Sequence, residues 1–118
     1  MKNNPITFAL HQEEKYVVVA FDLTTPNHLL VPADLSTLVP PDPIAHNFAH
    51  KGVILSGKGP IWLYGFLVHF YHPTRWVATY DPRWQGGIVV ETHDPSIKVG
   101  TVIPVATTIF STTKKKLS

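Results

Sequence analysis

The sequence predicts a small α/β domain with a mixed β-sheet and one main crossover helix. Residues 52–80 follow the order strand, glycine loop, helix, strand, which is a βαβ unit with two parallel strands and a right-handed crossover. The other predicted strands follow one another through short turns, as hairpins do. The length of 118 residues suits one domain, which we place at 1–111, followed by a basic flexible tail at 112–118.

The N-terminal part of the chain begins as a predicted hairpin. ITFALHQ alternates apolar and polar residues, and KYVVVAFDL is rich in β-branched and aromatic residues, so both are predicted strands. The polar HQEEK between them is the predicted turn. Five prolines then interrupt residues 25–50, where PADLSTLVP has room only for a short helix.

The βαβ unit and three later segments complete the predicted elements. GVILSG is typical of a buried strand, Pro60 is favoured at the first position of a helix, and Pro73 closes that helix. RWVATY and GIVVETH are the next strands, and TVIPVATTIF is a late strand in which Pro104 suits a sheet edge. The apolar residues expected to line the buried side of the helix are Ile61, Leu63, Phe66, Leu67 and Phe70.

Composition and charge exclude several classes of function. The chain is 44% hydrophobic and 15% charged, as globular proteins are. Much of the formal charge of +2 comes from lysines 114–116, so the body lacks the broad cationic face that duplex nucleic acid requires. The absence of cysteine excludes disulfides and thiolate metal sites. No segment resembles a signal peptide or a membrane span, so we expect a cytoplasmic protein without a membrane partner.

The loop SGKGP is a candidate anion-binding site. It joins a buried strand to a helix, where free backbone N–H groups and the helix dipole both favour anions. Its glycines allow a ligand to approach the backbone, its lysine adds a charge, and its serine adds a hydroxyl. A tight turn that merely needs small residues explains the loop equally well. The candidate ligand-binding residues here are Ser56, Gly57, Lys58, Gly59 and Pro60.

Two histidines and an aspartate are candidates for acid–base chemistry. His69 and His72 are three residues apart, which on a helix places them on one face, either as functional groups or as a solvated polar stripe. Asp81 follows a predicted strand and therefore lies with the SGKGP loop where parallel strands end. The helix runs away from that end, so its histidines approach the opposite one. A second subunit, packed head to tail, would bring them to Asp81.

Arg83, His93 and the aromatic residues are further candidates. Arg83 is either a salt-bridge partner of Asp81 in a turn or a fork for phosphate oxygens. His93 ends a strand and is either a loop residue or a metal ligand beside Asp81. Among the aromatic residues that offer stacking faces for bases, Trp84 is the best candidate for exposure, because it lies in a turn.

These segments resemble a known family. SGKGPIWLYGFLVHFYH, VATYDPR and IVVETH are similar to the third family of CRISPR-associated ring nucleases, small accessory proteins of type III CRISPR systems. The pattern of that family is SG[RK]GPIWL, a helix with histidines at its end, YDPR, and a strand ending in SH or TH. The resemblance covers roughly residues 50–105, and WQGG is one residue longer than the usual turn.

The resemblance implies a Rossmann-like fold related to CARF sensor domains, and a homodimer that binds cyclic tetra-adenylate. It also implies manganese-dependent cleavage of this RNA second messenger, which switches off the antiviral response, and head-to-tail stacking of dimers into tetramers or filaments around the ligand. By position, His72 and Asp81 match the catalytic pair of the family, with His69, Arg83 and His93 in support. Mn²⁺ would be held by Asp81 and His93.

Two other functions use the same residues. The protein could bind cyclic oligoadenylate without cleaving it, as a sensor, in which case the histidines are structural. It could also be a metal-dependent exonuclease on linear single-stranded RNA. Turnover of the ring separates the first alternative from a ring nuclease, and a comparison of substrates separates the second.

Overall fold

Six strands, one α-helix and one 3₁₀ helix make up the part of the chain that the computed structural model describes, residues 5–24 and 29–106. In chain order they are β1 (Ile6–Gln12), β2 (Tyr16–Leu23), the 3₁₀ helix (Pro32–Ser36), β3 (Gly52–Ser56), α1 (Ile61–Phe70), β4 (Trp76–Asp81), β5 (Gly86–Thr92) and β6 (Val102–Pro104). The predicted α/β domain with a mixed sheet and one crossover helix is confirmed. The predicted tail at 112–118 and the domain end at 107–111 lie outside the described residues.

The strands form one sheet whose spatial order is the same as their order in the chain. β2, β3 and β4 are parallel, whereas β1, β5 and β6 pair antiparallel with their neighbours. The unit β3–α1–β4 is the predicted βαβ crossover. Because β2, β3 and β4 run the same way, they end together at Leu23, Ser56 and Asp81, which we call the carboxyl end of the sheet. The opposite end, where they begin, is the amino end.

Alternating side chains divide the core into two clusters, one on each face of the sheet. The helix face packs against Leu63 and Leu67 of α1, and also against Tyr71 and Phe48. The strand residues in this cluster include Val17, Val19, Val53, Leu55 and Val77. The opposite face is built from their neighbours in the chain, including Val18, Ile54, Ala78 and Val89. Burial on both faces explains why the central strands are almost continuously apolar.

The buried side of α1 is narrower than the sequence predicts. Leu63 and Leu67 are fully buried and Phe66 and Phe70 are half-buried, but Ile61 is 90% exposed, so its assignment to the core was wrong. The physical reason is the helical period. Ile61 lies two residues, or about 200° of rotation, from Leu63 and therefore on the other side of the helix.

Only one of the two histidines that were predicted to share a helix face lies on the helix. α1 ends at Phe70, so His69 lies in its last turn and His72 lies in the turn that follows. His72 directly precedes Pro73, and a residue before proline is driven out of the helical conformation by a clash with the proline ring. The two histidines are therefore held by different backbone geometry.

The two edge strands of the sheet agree in outline with those predicted from the sequence. β1 is one edge strand and β6 the other, which places Pro104 on an edge strand as predicted. β6 is shorter than TVIPVATTIF, part of which lies outside the described residues. Within residues 5–24 and 29–106, no helix is both long enough and apolar enough to cross a bilayer.

Replacement of Gly52 by alanine tests the packing of the amino end. A Cβ atom there would lie 1.9 Å from Cε2 of Trp76, so the indole would have to move. We expect Gly52→Ala to lower the free energy of unfolding by about 1–3 kcal/mol, as overpacking does, in a urea titration. Gly65→Ala is the matched control, because nothing lies within 4 Å of its Cβ position. In this helix interior the same change should stabilise by about 0.5–1 kcal/mol. An unchanged urea midpoint for Gly52→Ala would contradict the close packing of Trp76 against Gly52.

Candidate functional site

The SGKGP loop is pressed against the neighbouring strand β2. Gly57 has φ +155°, and a Cβ atom there would lie 2.5 Å from the carbonyl oxygen of Phe21. The loop therefore needs glycine at this position, both for its backbone conformation and for this close approach. Lys58 and Gly59 are exposed, while Ser56 and Pro60 on either side of them are partly buried. The loop presents its backbone to solvent at the start of α1.

Tyr64 ties the loop to the helix. Its hydroxyl donates a hydrogen bond of 2.6 Å to the carbonyl oxygen of Gly57. Its ring packs edge-on against Phe21, with 5.3 Å between the ring centroids. Burial raises the pKa of the Tyr64 hydroxyl. A neutral tyrosine thus fixes the loop and adds no negative charge near a bound anion.

Asp81 and Arg83 form a bidentate pair at the carboxyl end of β4. The Arg83 guanidinium donates to both carboxylate oxygens, through Nη2 to Oδ2 at 2.9 Å and through Nε to Oδ1 at 3.2 Å. The backbone N–H of Arg83 also donates to Oδ1, at 2.9 Å. The guanidinium bonds, and then this backbone bond, hold the pKa of the Asp81 carboxyl below its usual value. The turn salt bridge is therefore formed, with the Arg83 side chain 83% exposed.

The loop and the end of β4 share a shallow cleft. It has a volume of about 400 Å³ and is lined by Gly59, Ile61, Tyr64, Thr79 and Tyr80. This cleft places the SGKGP loop and the carboxyl end of β4 side by side, as expected for consecutive parallel strands. Polar backbone from the loop and aromatic surface from two tyrosines thus face the same open space.

Exposed apolar side chains surround this end of the sheet. Ile61 is 90% exposed and Trp62 37% exposed at the start of α1, and Trp84 is 64% exposed in the turn after β4. The exposure predicted for Trp84 is confirmed. Ile61 also lines the cleft, so part of the cleft wall is apolar.

His72 lies at the amino end of the sheet, where β5 holds it in two ways. Its ring nitrogen Nδ1 makes a hydrogen bond to the Glu91 carboxylate. His93 Nε2 donates 3.0 Å to the backbone carbonyl oxygen of His72, and the two imidazoles meet edge to face at a centroid distance of 4.9 Å. The His72 side chain is 52% exposed, so this cluster stays open to solvent.

The two parts of the predicted catalytic pair are far apart in one chain. His93 donates its backbone N–H to the carbonyl oxygen of Arg75, which fixes the His72–His93 cluster beside the start of β4. Asp81 lies at the other end of that strand, six residues away, which is about 20 Å at 3.3 Å per residue. His69 is exposed in the last turn of α1, which lies at the amino end of the sheet. One chain therefore does not bring His72 or His93 to Asp81.

Asp94 belongs to a loop and not to a site with His93. Its carboxylate accepts hydrogen bonds from the Ser96 hydroxyl at 2.7 Å and from Arg75 Nε at 2.7 Å. These two bonds, with that of the Ser96 backbone N–H, lower the pKa of Asp94 to about 2. Within the described part of the chain, no three His, Asp or Glu side chains are grouped so that they could hold a metal ion.

A larger groove lies at the amino end, away from the cleft. Its volume is about 580 Å³, and Tyr16, Trp76 and Lys51 are among the residues that line it. Two of its cations are already bonded. Lys51 donates to Gln12 Oε1 and to the carbonyl oxygen of Glu13, and Arg75 pairs with Asp94. The groove is larger than the cleft, but Glu14 and Asp94 also line it, and their carboxylates make it less suited to a polyanion.

Sequence reasoning missed Glu91. Within GIVVETH it has the pattern of an ordinary polar strand residue, and the only available signal was its position two residues before His93. Its contact with His72 depends on the register of β4 against β5, which local sequence does not encode. Trp84, Arg83 and the loop could be placed correctly because each follows directly from the end of a strand.

Comparison with known proteins identifies relatives of this chain. Residues 23–104, more than half of the chain, match the family model described as CRISPR-associated protein (Cas_csx3). An uncharacterized protein of Aquifex aeolicus (strain VF5) is 55% identical over 74 residues, which cover 63% of this chain and 67% of that relative.

Removal of the Arg83 side chain tests the electrostatics of the carboxyl end. In Arg83→Ala the guanidinium bonds are lost, so the pKa of Asp81 should rise toward its usual value in a carboxyl ¹³C NMR titration. A lowered pKa stabilises the fold above the unfolded pKa of about 4, and this contribution is lost as the pH falls through the folded pKa. The destabilisation caused by Arg83→Ala should therefore disappear in acid. Lys98→Ala is the control, and an unchanged Asp81 pKa in Arg83→Ala would contradict the pairing.

Proposed function

Because this chain belongs to the Cas_csx3 family of CRISPR-associated proteins, we propose that it is a ring nuclease that binds and cleaves cyclic tetra-adenylate. The observation that carries the proposal is the cleft at the carboxyl end of the sheet. There the SGKGP loop, the end of β4 and two tyrosines, Tyr64 and Tyr80, line one open space, and the exposed Trp62 and Trp84 lie at the same end of the sheet. Phosphates and adenines need these two kinds of surface next to each other.

Phosphate binding is assigned to the loop and to two cations. The backbone N–H groups of residues 57–59 and the start of α1 favour an anion. Lys58 is exposed in the loop, and Arg83 presents a largely exposed guanidinium. Arg83 uses Nε and one Nη2 hydrogen on Asp81, which orients the guanidinium and leaves its other N–H donors for a phosphate. Trp84 and Trp62 offer stacking faces for adenine at the same end.

The size of the ligand favours a dimer. Pockets of roughly 300–1,000 Å³ suit drug-sized ligands, and the cleft of one chain measures about 400 Å³. A ring of four nucleotides is several times larger than such a ligand, so one cleft covers only part of it. Two clefts that face each other across a homodimer would cover more of the ring and would bury the exposed Ile61 and Trp84.

Cleavage requires His72 of one dimer to meet the ring held by another. His72 is the proposed general base: its imidazole takes the proton from a ribose 2′-OH or from a water. The new oxygen–phosphorus bond forms as the bond to the leaving ribose oxygen breaks, and that oxygen takes up a proton. Attack by 2′-OH yields a 2′,3′-cyclic phosphate, whereas attack by water yields a terminal phosphate. Head-to-tail stacking into tetramers or filaments supplies the His72 that the ring-binding end lacks.

Manganese enters the proposal only through the family resemblance. Asp81 and His93, the expected ligands, are at opposite ends of the β4–β5 hairpin, and both Asp81 carboxylate oxygens accept hydrogen bonds from Arg83. The residues of one chain therefore do not fit a shared metal ion, and no step is assigned to one. Cleavage with Mn²⁺ and with a chelator measures the requirement directly.

Binding without cleavage is the second candidate function. It is favoured by the same geometry, since one chain holds its ligand-binding and acid–base groups about 20 Å apart. An exonuclease acting on linear RNA would use the same residues on a substrate with free ends. Intact ring after incubation at stoichiometric protein would support the sensor, and faster loss of linear oligoadenylate than of the ring would support the exonuclease.

Alanine substitutions test the assigned roles. His72→Ala should slow cleavage of cyclic tetra-adenylate by on the order of 100-fold or more, the usual contribution of a general base. Asp81→Ala should also slow cleavage, because Arg83 loses the carboxylate that orients its guanidinium. His72→Ala should leave ring binding by calorimetry nearly unchanged. His46→Ala is a matched control, because His46 is an exposed histidine in a different loop. Full activity of His72→Ala would contradict the mechanism.

Mixing of the two inactive variants tests whether the site is shared. If His72 and Asp81 act from different chains, a mixture of His72→Ala and Asp81→Ala contains some sites with both residues intact. Partial cleavage should therefore return, with a maximum at an intermediate ratio. Two residues acting within one chain would give no rescue at any ratio, and that result would exclude the shared site.

A further inference from the structure

The register of β4 against β5 contains a bulge at Val90. Ala78 is opposite Val89, but the next residue toward the amino end, Val77, is opposite Glu91. Val90 is therefore the extra residue on β5, with no partner across the ladder. Bulges of this kind bend a strand and redirect the side chains that follow, and they are common next to functional sites.

The bulge decides which face of the sheet Glu91 occupies. Residues that are opposite each other on paired strands point to the same face. Val77 belongs to the cluster on the helix face, so Glu91 points there too. Ala78 and Val89 belong to the cluster on the other face. Without the extra residue, Val90 would be opposite Val77, and Glu91 would point away from α1.

On the helix face, Glu91 meets the segment that follows α1. Its carboxylate accepts a hydrogen bond from His72 Nδ1, and its side chain is 31% exposed, so the contact is partly shielded from water. His93, two residues further along, donates to the backbone carbonyl oxygen of His72. The end of β5 thus fixes both the ring and the backbone of this histidine.

We propose that Glu91 is a positioning residue for His72, aimed by the bulge at Val90 and holding the neutral imidazole as the Nδ1–H tautomer. A carboxylate only accepts, so Nδ1 carries the hydrogen and Nε2 carries the lone pair. A base oriented by a third group is the arrangement by which histidine takes protons from nucleophiles in other enzymes. The tautomer is independent of the proposed function, whereas the role of Glu91 in cleavage depends on the proposed ring nuclease activity.

Nitrogen NMR reads the tautomer directly in the full-length protein labelled with ¹⁵N-histidine. At a pH where imidazoles are neutral, His72 Nδ1 should show the shift of a protonated nitrogen and Nε2 that of a bare one. His72→Gln assigns the signal. The opposite pattern in the unsubstituted protein would overturn the proposal without any variant of Glu91, so a folding defect cannot obscure the result.

Two substitutions separate positioning from simple structural support. Glu91→Gln keeps a side chain of the same size whose amide oxygen can still accept from Nδ1–H; with that oxygen facing His72, the tautomer and most of the activity should remain. Glu91→Ala removes the acceptor, so Nε2 should gain hydrogen and kcat should fall by about 10–100-fold, with KM unchanged. Glu14→Ala, which removes an exposed carboxylate from the β1–β2 turn, should change neither the His72 tautomer nor kcat. An unchanged tautomer in Glu91→Ala would overturn the assignment.

The two readouts also separate this inference from the proposed function. If the unsubstituted protein fails to cleave the ring but shows the Nδ1–H tautomer that Glu91→Ala loses, the ring nuclease proposal is wrong and the positioning by Glu91 stands. If the protein cleaves the ring and Glu91→Ala retains the full kcat, cleavage stands and the role of Glu91 in it is wrong.

Discussion

The direction of three parallel strands is the constraint on which the site depends. β2, β3 and β4 run the same way, so the chain must return between β3 and β4 through α1. The start of that helix then lies at the carboxyl end of the sheet and its last turn at the amino end. A loop before the helix and histidines after it are consequently held apart by the length of a strand, whatever their side chains are.

The carboxyl end and the amino end of the sheet carry different kinds of side chain. The carboxyl end has a shallow cleft lined by the SGKGP loop and two tyrosines, and two cations and two exposed tryptophans lie at the same end. The amino end joins a histidine to a carboxylate and a second histidine. Among the residues that the structure describes, neither end alone holds both a surface for phosphates and a histidine base. The division gives a reason for assembly, because copies that stack head to tail bring unlike ends together.

The sequence was sufficient for the elements and for the loop, because those depend on local pattern. Proline and glycine mark the limits of α1, and continuous apolar runs mark the buried strands. It was insufficient where two segments meet. The apolar pattern predicts Ile61 in the core, although the helical period places it opposite Leu63. The pattern also predicts His72 on the helix, but the helix ends at Phe70. The Glu91 contact depends on a bulge, and a bulge is set by the pairing of two strands.

The most direct test of the separated ends is a structure of the protein bound to a non-cleavable cyclic tetra-adenylate. The geometry predicts ring phosphates at residues 57–59 and Arg83 of one subunit. It also predicts that the imidazole of a His72 from a second, stacked dimer lies beside a phosphodiester. A ring held at the carboxyl end with every His72 imidazole exposed to solvent and remote from the phosphates would contradict the account.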